Sequence, residues 1–202
     1  MRIAAPLFRA LVASWLDAAR RQGATPVIAC AAADRDSLAS IAPDIEREWL
    51  EQRGDSFGER VARASDDAFA RGFDAVLIAA IDAPPRDLRE AFAHLKRGVP
   101  VISPSRDGGI NYIGLVQPEP ELLAQLELGR RDLVALCKRY LSFHIVGGTI
   151  DLDNENALAI ARTDRAWRSL LAQLPTAQPR DRATAQPVIA FPRASRAPPL
   201  NV

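Results

Sequence analysis

Four aspartates stand at or just beyond the ends of short apolar runs. Asp82 closes the run from Ala75 to Ile81 and precedes Ala83-Pro84-Pro85. Asp107 opens Asp107-Gly108-Gly109 soon after Val99 to Ser103, and Asp151 and Asp153 alternate in Ile150-Asp151-Leu152-Asp153. In an open α/β sheet, ligands bind outside the carboxyl ends of the strands, so carboxylates at several such ends converge on one crevice. Oxygen ligands of this kind suit a hard divalent cation and a phosphate-bearing partner, which points to metal-assisted group transfer. Asp82, held between a strand and two prolines, is the sharpest metal-ligand candidate. Asp151 and Asp153, on one side of an extended segment, are easier to explain with a cation nearby. Each position also has a plain structural use. Asp82 can serve as an Asx-turn or cap, Asp153-Asn154 as a helix cap, and Asp107 as part of a hairpin turn.

Two glycine-bearing segments accompany them. The stretch Gln52-Arg53-Gly54-Asp55-Ser56-Phe57-Gly58-Glu59-Arg60 runs into a helix, so its backbone N–H groups and the positive helix end suit an anion, with Arg60 as an added cation. It reads equally as a capped helix start, with Asp55 or Ser56 as cap and Glu59 closing a capping box. Gly108 and Gly109 would let a ligand approach the backbone closely, while Asp107 could orient an acceptor hydroxyl or take its proton. His144, on an apolar run, reads as a core histidine. Since His94 and His144 are the only histidines and Cys30 and Cys137 the only cysteines, neither a zinc cage nor a disulfide framework is expected. Ser37, Ser56, Ser103 and Ser105 lack a nucleophile elbow.

The elements that must position these groups follow from periodicity. Leu7, Leu11, Trp15 and Ala18 recur at helical spacing, which predicts an amphipathic first helix ended by Gly23. Pro26 to Ala31 predicts a strand, and residues 34–53 an irregular stretch with a helical turn around Ile45 to Leu50. Further helices are predicted over Gly58 to Arg71, Leu88 to Leu95, Glu119 to Leu128, Arg131 to Leu141 and Glu155 to Leu174. Strands are predicted over Ala75 to Ile81, Val99 to Ser103, Asn111 to Val116, Phe143 to Val146 and Thr149 to Leu152. This alternation predicts a mainly parallel sheet in a layered α/β domain over residues 1–174. Residues 175–202 carry six prolines and four arginines without periodicity and are expected to form a disordered tail, although Val188 to Phe191 could add an edge strand.

Composition excludes little. A chain of 202 residues, 48% hydrophobic and 25% charged, suits one soluble domain with a sizeable core. Its formal charge of +1 gives no reason to expect a nucleic-acid or polybasic membrane partner. The few cysteines fit a reducing cytoplasm, and no apolar stretch reaches bilayer-spanning length. Oligomeric state is left open.

Three segments taken together, Gly54 to Arg60, Val76 to Pro84 and Asp107 to Leu115, resemble in order and spacing the DUF2064 family, a glycosyltransferase-A-like group also described as selenodomain-associated or arsenosugar-biosynthesis glycosyltransferases. The likeness covers about residues 5–172. It implies a nucleotide-diphospho-sugar transferase fold and a metal-dependent glycosyl or nucleotidyl transfer from a nucleotide-linked donor to a small-molecule acceptor. By the same likeness, Asp82 holds Mg²⁺ or Mn²⁺ with Asp151 or Asp153, and Asp107-Gly108-Gly109 faces the acceptor. Gln52, Arg53 and Gly54 correspond to the nucleotide-facing loop. The family's opening strand and Lys-Thr-Arg-Leu phosphate loop have no counterpart after Met1, Ala80 stands for the motif's serine, and Ile110-Asn111 for its aromatic pair. These departures carry two expectations: a start placed downstream of the true one, or a non-catalytic nucleotide-binding or interaction protein that kept the scaffold. A sheet without its opening strand is expected to need cover from the tail, the first helix or a partner.

Overall fold

The computed structural model describes residues 5–39, 49–148, 163–172 and 174. The first helix, α1 (Ala5–Arg21), buries Phe8, Leu11, Val12, Trp15 and Ala18 on one side and carries Arg20 and Arg21 in its last turn, where cations complement the helix dipole. Gly23 stops it in the left-handed region at φ +71°, a conformation open to glycine without steric cost.

A parallel pair follows, β1 (Ile28–Cys30) and β2 (Trp49–Glu51), with a 3₁₀ turn at Ala32–Asp34 and helix α2 (Arg35–Ala39) after β1. The helical turn expected around Ile45 to Leu50 is therefore corrected at its described end. Trp49 and Leu50 pair with Ile28 and Ala29, and both side chains are buried although neighbours on a strand point to opposite faces, so this short strand is covered on both sides.

Helix α3 (Phe57–Ala70) leads to β3 (Val76–Ala79), helix α4 (Leu88–Leu95), the hairpin β4 (Val101–Pro104) and β5 (Ile110–Leu115), the short helices α5 (Pro120–Ala124) and α6 (Leu133–Cys137), and strand β6 (His144–Ile145). The last described helix is α7 (Arg165–Leu171). The four-stranded sheet has the order β3-β5-β4-β6. Because β5 is antiparallel to both β3 and β4, and β6 is parallel to β4, strands β3, β4 and β6 share one direction and β5 alone runs against them. The expected α/β class holds, and within the described four-stranded sheet β5 is the one reversed strand. Pro104 has no N–H to give the ladder, and the register slips between Ser103 and Pro104.

Among the described residues the β1–β2 pair and the four-stranded sheet are separate ladders. Helix α1 joins them. Phe8 and Val12 pack with Ile28, Cys30 and Trp49, Leu11 with Ala83 and Trp167, and Trp15 and Ala18 with Val101 and Tyr112. The side chain of Ile81 packs against all three groups, which explains why the predicted strand ends early. Paired register ends at Ala79, the Ala80 N–H adds a last bond to the Asn111 carbonyl at 3.0 Å, and Ile81 turns into the core. A larger core lies on the other side, where Val61 and Ala62 of α3 meet Ile102, Ile113, Leu122 and Cys137. Burial pushes the Cys137 thiol up to about 11, so it behaves as a small apolar side chain rather than a nucleophile.

The predicted strand Thr149 to Leu152, most of the helix Glu155 to Leu174, and the tail 175–202 lie outside the described residues. So do Asp151 and Asp153.

Candidate functional site

Asp82 sits half-buried in the turn that leaves β3. Three side chains hold this turn and the segment after it. The Trp15 indole Nε1–H donates to the carbonyl of fully buried Ala83 at 2.8 Å, and the Tyr112 hydroxyl donates to the Arg86 carbonyl at 2.9 Å. Arg86 in turn pairs through Nη1 with Asp164 Oδ2 at 3.1 Å. Asp164 is itself fixed as the cap of α7, accepting from the N–H groups of Ala166 and Trp167. Trp15 and Tyr112 also meet edge to face, with ring centroids 6.0 Å apart. Burial pushes the Tyr112 phenol well above its ordinary range, which keeps it a donor.

The register places Asp82 and Asp107 at one end of the sheet. Ala79 and Ser103 both pair with Tyr112, so Ala79, Tyr112 and Ser103 form one row across β3, β5 and β4. Two strand spacings separate the outer members, roughly 10 Å. Asp82 lies three residues beyond Ala79 and Asp107 four beyond Ser103, both past the carboxyl ends of strands that run the same way. The row continues to β6, because the Ser103 hydroxyl donates to the Gly147 carbonyl at 2.8 Å. Gly147 is pressed against the Asp87 carboxylate and Gly148 against the Pro104 carbonyl, contacts close enough that a Cβ at either glycine would collide. The chain thus leaves β6 between the segment that follows Asp82 and the end of β4.

Asp87 is a residue that sequence reasoning missed. It is the sole non-glycine residue with positive φ among the described residues, at +51°, just before α4, and it pairs with Arg86 at 3.5 Å. Its signal in the sequence was slight: an aspartate shortly after Pro84-Pro85 can cap a helix, but here it makes no capping bond.

At the hairpin the turn reading holds. Asp107 is exposed, and its Oδ1 accepts from the Gly109 N–H at 2.9 Å, while Ser105 N–H donates to Gly109 O at 3.0 Å. Gly108, at φ +95°, lies so close to the Arg131 carbonyl that a Cβ would overlap it. The close approach foreseen at this glycine is made by the chain's own backbone. Buried Asn111 donates through Nδ2 to Pro104 O at 2.6 Å, closing the base of the hairpin.

The capping reading also holds at α3. Ser56 Oγ accepts from the Glu59 N–H at 3.1 Å, and Glu59 Oε2 accepts from the Asp55 N–H at 3.0 Å. Gln52 N–H extends the β1–β2 pairing to Cys30 O at 2.8 Å. Gly54 adopts φ +139°, with Arg60 Nη1 donating to its carbonyl at 3.4 Å. Arg53 pairs with Asp67 at 2.7 Å and lines a cavity of about 480 Å³ beside β1 and β2, together with Cys30, Arg35, Trp49, Glu51, Asp67 and Arg71. The Arg35 guanidinium stands over the Trp49 ring at 5.8 Å, and Arg71 Nη2 donates to Trp49 O at 2.6 Å. This cavity combines one aromatic wall with three guanidinium groups. A second cavity of about 350 Å³ lies between α1, Pro84 to Arg89 and α7. Neither is lined by Asp82 or Asp107.

The pattern of DUF2064, described as an uncharacterized protein conserved in bacteria, matches residues 15–130, more than half of the sequence. The chain belongs to the DUF2064 family. Its backbone is similar to a crystal structure from Desulfovibrio desulfuricans G20 named provisionally as a nucleotide-diphospho-sugar transferase, with a TM-score of 0.66 and 23% identity over 82% of this chain and 80% of that one. At that identity the likeness establishes the fold of this DUF2064 chain. No curated protein matches it. Among the described residues no helix is long and apolar enough to cross a membrane.

Proposed function

We propose that this DUF2064 chain transfers a glycosyl or nucleotidyl group from a nucleotide-linked donor to a small-molecule acceptor with the help of a divalent cation. The observation that carries the reading is the shared carboxyl end of β3, β4 and β6, which Asp82 and Asp107 follow on strands that run the same way. The donor chemistry fits a hard cation, since the candidate ligands are carboxylates and Asp82 follows a strand into a segment braced by Trp15, Tyr112 and Asp164. In this reading Asp82, joined by Asp151 or Asp153, holds Mg²⁺ or Mn²⁺, and the chemistry the ion supplies is neutralisation of the diphosphate leaving group. Asp107, its carboxylate oriented by the Gly109 N–H, positions the acceptor hydroxyl or takes its proton. Gln52, Arg53, Gly54 and Arg60 face the nucleotide, and Gly108 and Gly109 line the acceptor side.

One observation favours a second reading, a non-catalytic nucleotide-binding or interaction protein. The groups of the 53–60 loop best suited to phosphates are engaged internally: Arg53 with Asp67, the Glu59 N–H with Ser56, and the Asp55 N–H with Glu59. Titrating nucleoside diphosphates and triphosphates into the purified chain with and without Mn²⁺ separates the two. Metal-dependent binding supports transfer, whereas binding without metal dependence, or no binding, favours the second reading.

A further inference from the structure

The chain has two histidines, separated by 50 positions, and the fold stacks one on the other. The His94 and His144 rings lie 3.6 Å apart between centroids and within 15° of parallel. Glu90 lies one turn before His94 on α4, at the i, i+4 spacing that puts both on one helix face, and its Oε1 stands 2.9 Å from His144 Nε2. One ligand atom from each of the three residues falls within 4.8 Å of the other two.

We propose that Glu90, His94 and His144 form a site for a borderline divalent metal of the zinc class. Two imidazole nitrogens and one carboxylate oxygen are a recurrent three-ligand set for zinc, leaving a fourth position for water. Ligand atoms on one tetrahedral ion stand about 3.4 Å apart, given bond lengths near 2.1 Å, so the cluster closes on an ion with side-chain shifts of about 1–1.5 Å and a rotation of the two imidazoles out of their stack, because each ring nitrogen directs its lone pair in the ring plane. All three side chains have the freedom to make them, since Glu90 is exposed and both histidines are half-exposed. The site also lies apart from the carboxylates of the proposed donor centre. His144 pairs with Val101, the first residue of β4, so it sits at the amino end of the same-direction strands, whereas Asp82 follows a carboxyl end. An ion there would tie α4 to the edge strand β6.

His94 is held below its ordinary range by desolvation first, then by His144 and Arg97, against the opposing carboxylate of Glu90. One neighbour opposes a cation: Arg97 Nη2 stands 3.2 Å from His94 Nδ1.

Zinc titrated into the full, untagged chain tests the site by calorimetry together with the imidazole C–H resonances, of which two histidines give an uncrowded set. The expected result is saturable 1:1 binding that moves both sets of resonances together. His94→Gln and His144→Gln should each weaken it at least tenfold, and Glu90→Gln, an exposed substitution with little risk to folding, severalfold. Arg97→Ala keeps every ligand and removes the opposing charge, so it should tighten binding at least threefold. Binding that shifts only one imidazole, affinity unchanged in Glu90→Gln or His144→Gln, no tightening in Arg97→Ala, or no saturable binding would overturn the proposal.

Discussion

The Ser103 hydroxyl donates to the Gly147 carbonyl at 2.8 Å, across the carboxyl ends of β4 and β6. This bond ties the exit of β6 to the same row of the sheet from which β3 runs on to Asp82. Gly147 then lies against Asp87, five residues beyond Asp82, with no room for a side chain. The arrangement turns two distant stretches of sequence into neighbours, and most of what the protein is expected to do depends on it.

The two hydrogen bonds that brace the segment after Asp82 are expected to cost stability when removed singly. Trp15→Phe leaves the buried Ala83 carbonyl without its 2.8 Å donor and should destabilise by about 1–3 kcal/mol. Tyr112→Phe should cost about 0.5–1.5 kcal/mol. Urea unfolding measures both, and wild-type midpoints would contradict the bracing.

Tyr112 also predicts an alkaline limit. Its folded phenol is raised above the unfolded value of 10.0, chiefly by burial, so the folded state keeps a proton that the unfolded state releases. The contribution is fully present below about pH 10 and is lost as pH rises from there toward the folded value. Unfolding free energies measured from pH 9 upward should fall more steeply in the wild type than in Tyr112→Phe. Parallel curves would show that the phenol is not protected.

Helix α1 holds the β1–β2 pair and the four-stranded sheet together through apolar contact. Leu11, fully buried against Ala83 and Trp167, should cost about 2–5 kcal/mol when changed to alanine. Leu128, 66% exposed, should change stability by no more than about 0.5 kcal/mol. Equal effects in thermal unfolding would contradict the role given to the helix.

Much of this was legible in the sequence, and the reason lies in periodicity. Helices α1, α3 and α4 carry unbroken apolar stripes, and their ends fall at Gly23, Gly72 and Gly98, each at positive φ. Strand β2 was hidden because Trp49-Leu50-Glu51 is too short to show a period and its pairing partner lies far back in β1. The reversed direction of β5 follows from the Asp107-Gly108-Gly109 turn, which the sequence offered both as a hairpin and as a binding loop. Of the site, the strand-exit places of Asp82 and Asp107 were readable. The bracing by Trp15, Tyr112 and Asp164 and the meeting of His94 with His144 were not, since each depends on contacts between residues dozens of positions apart.

Gly108 gives a further check on the hairpin. Gly98 and Gly108 both have positive φ, but a Cβ at Gly98 meets open space while one at Gly108 strikes the Arg131 carbonyl. Gly98→Ala should cost about 1 kcal/mol, from backbone strain alone. Gly108→Ala should cost clearly more. Similar urea midpoints for the two variants would mean that the hairpin tip is not packed against residue 131.

In the proposed transfer Asp82 holds a divalent cation at the end of β3. Calorimetric titration of a nucleoside diphosphate into wild type and Asp82→Asn, each with and without Mn²⁺, reads out that role. Mn²⁺ is expected to strengthen binding at least tenfold in the wild type and to leave it unchanged in Asp82→Asn, with the circular dichroism of both chains alike. The same strengthening by Mn²⁺ in a folded Asp82→Asn would contradict it.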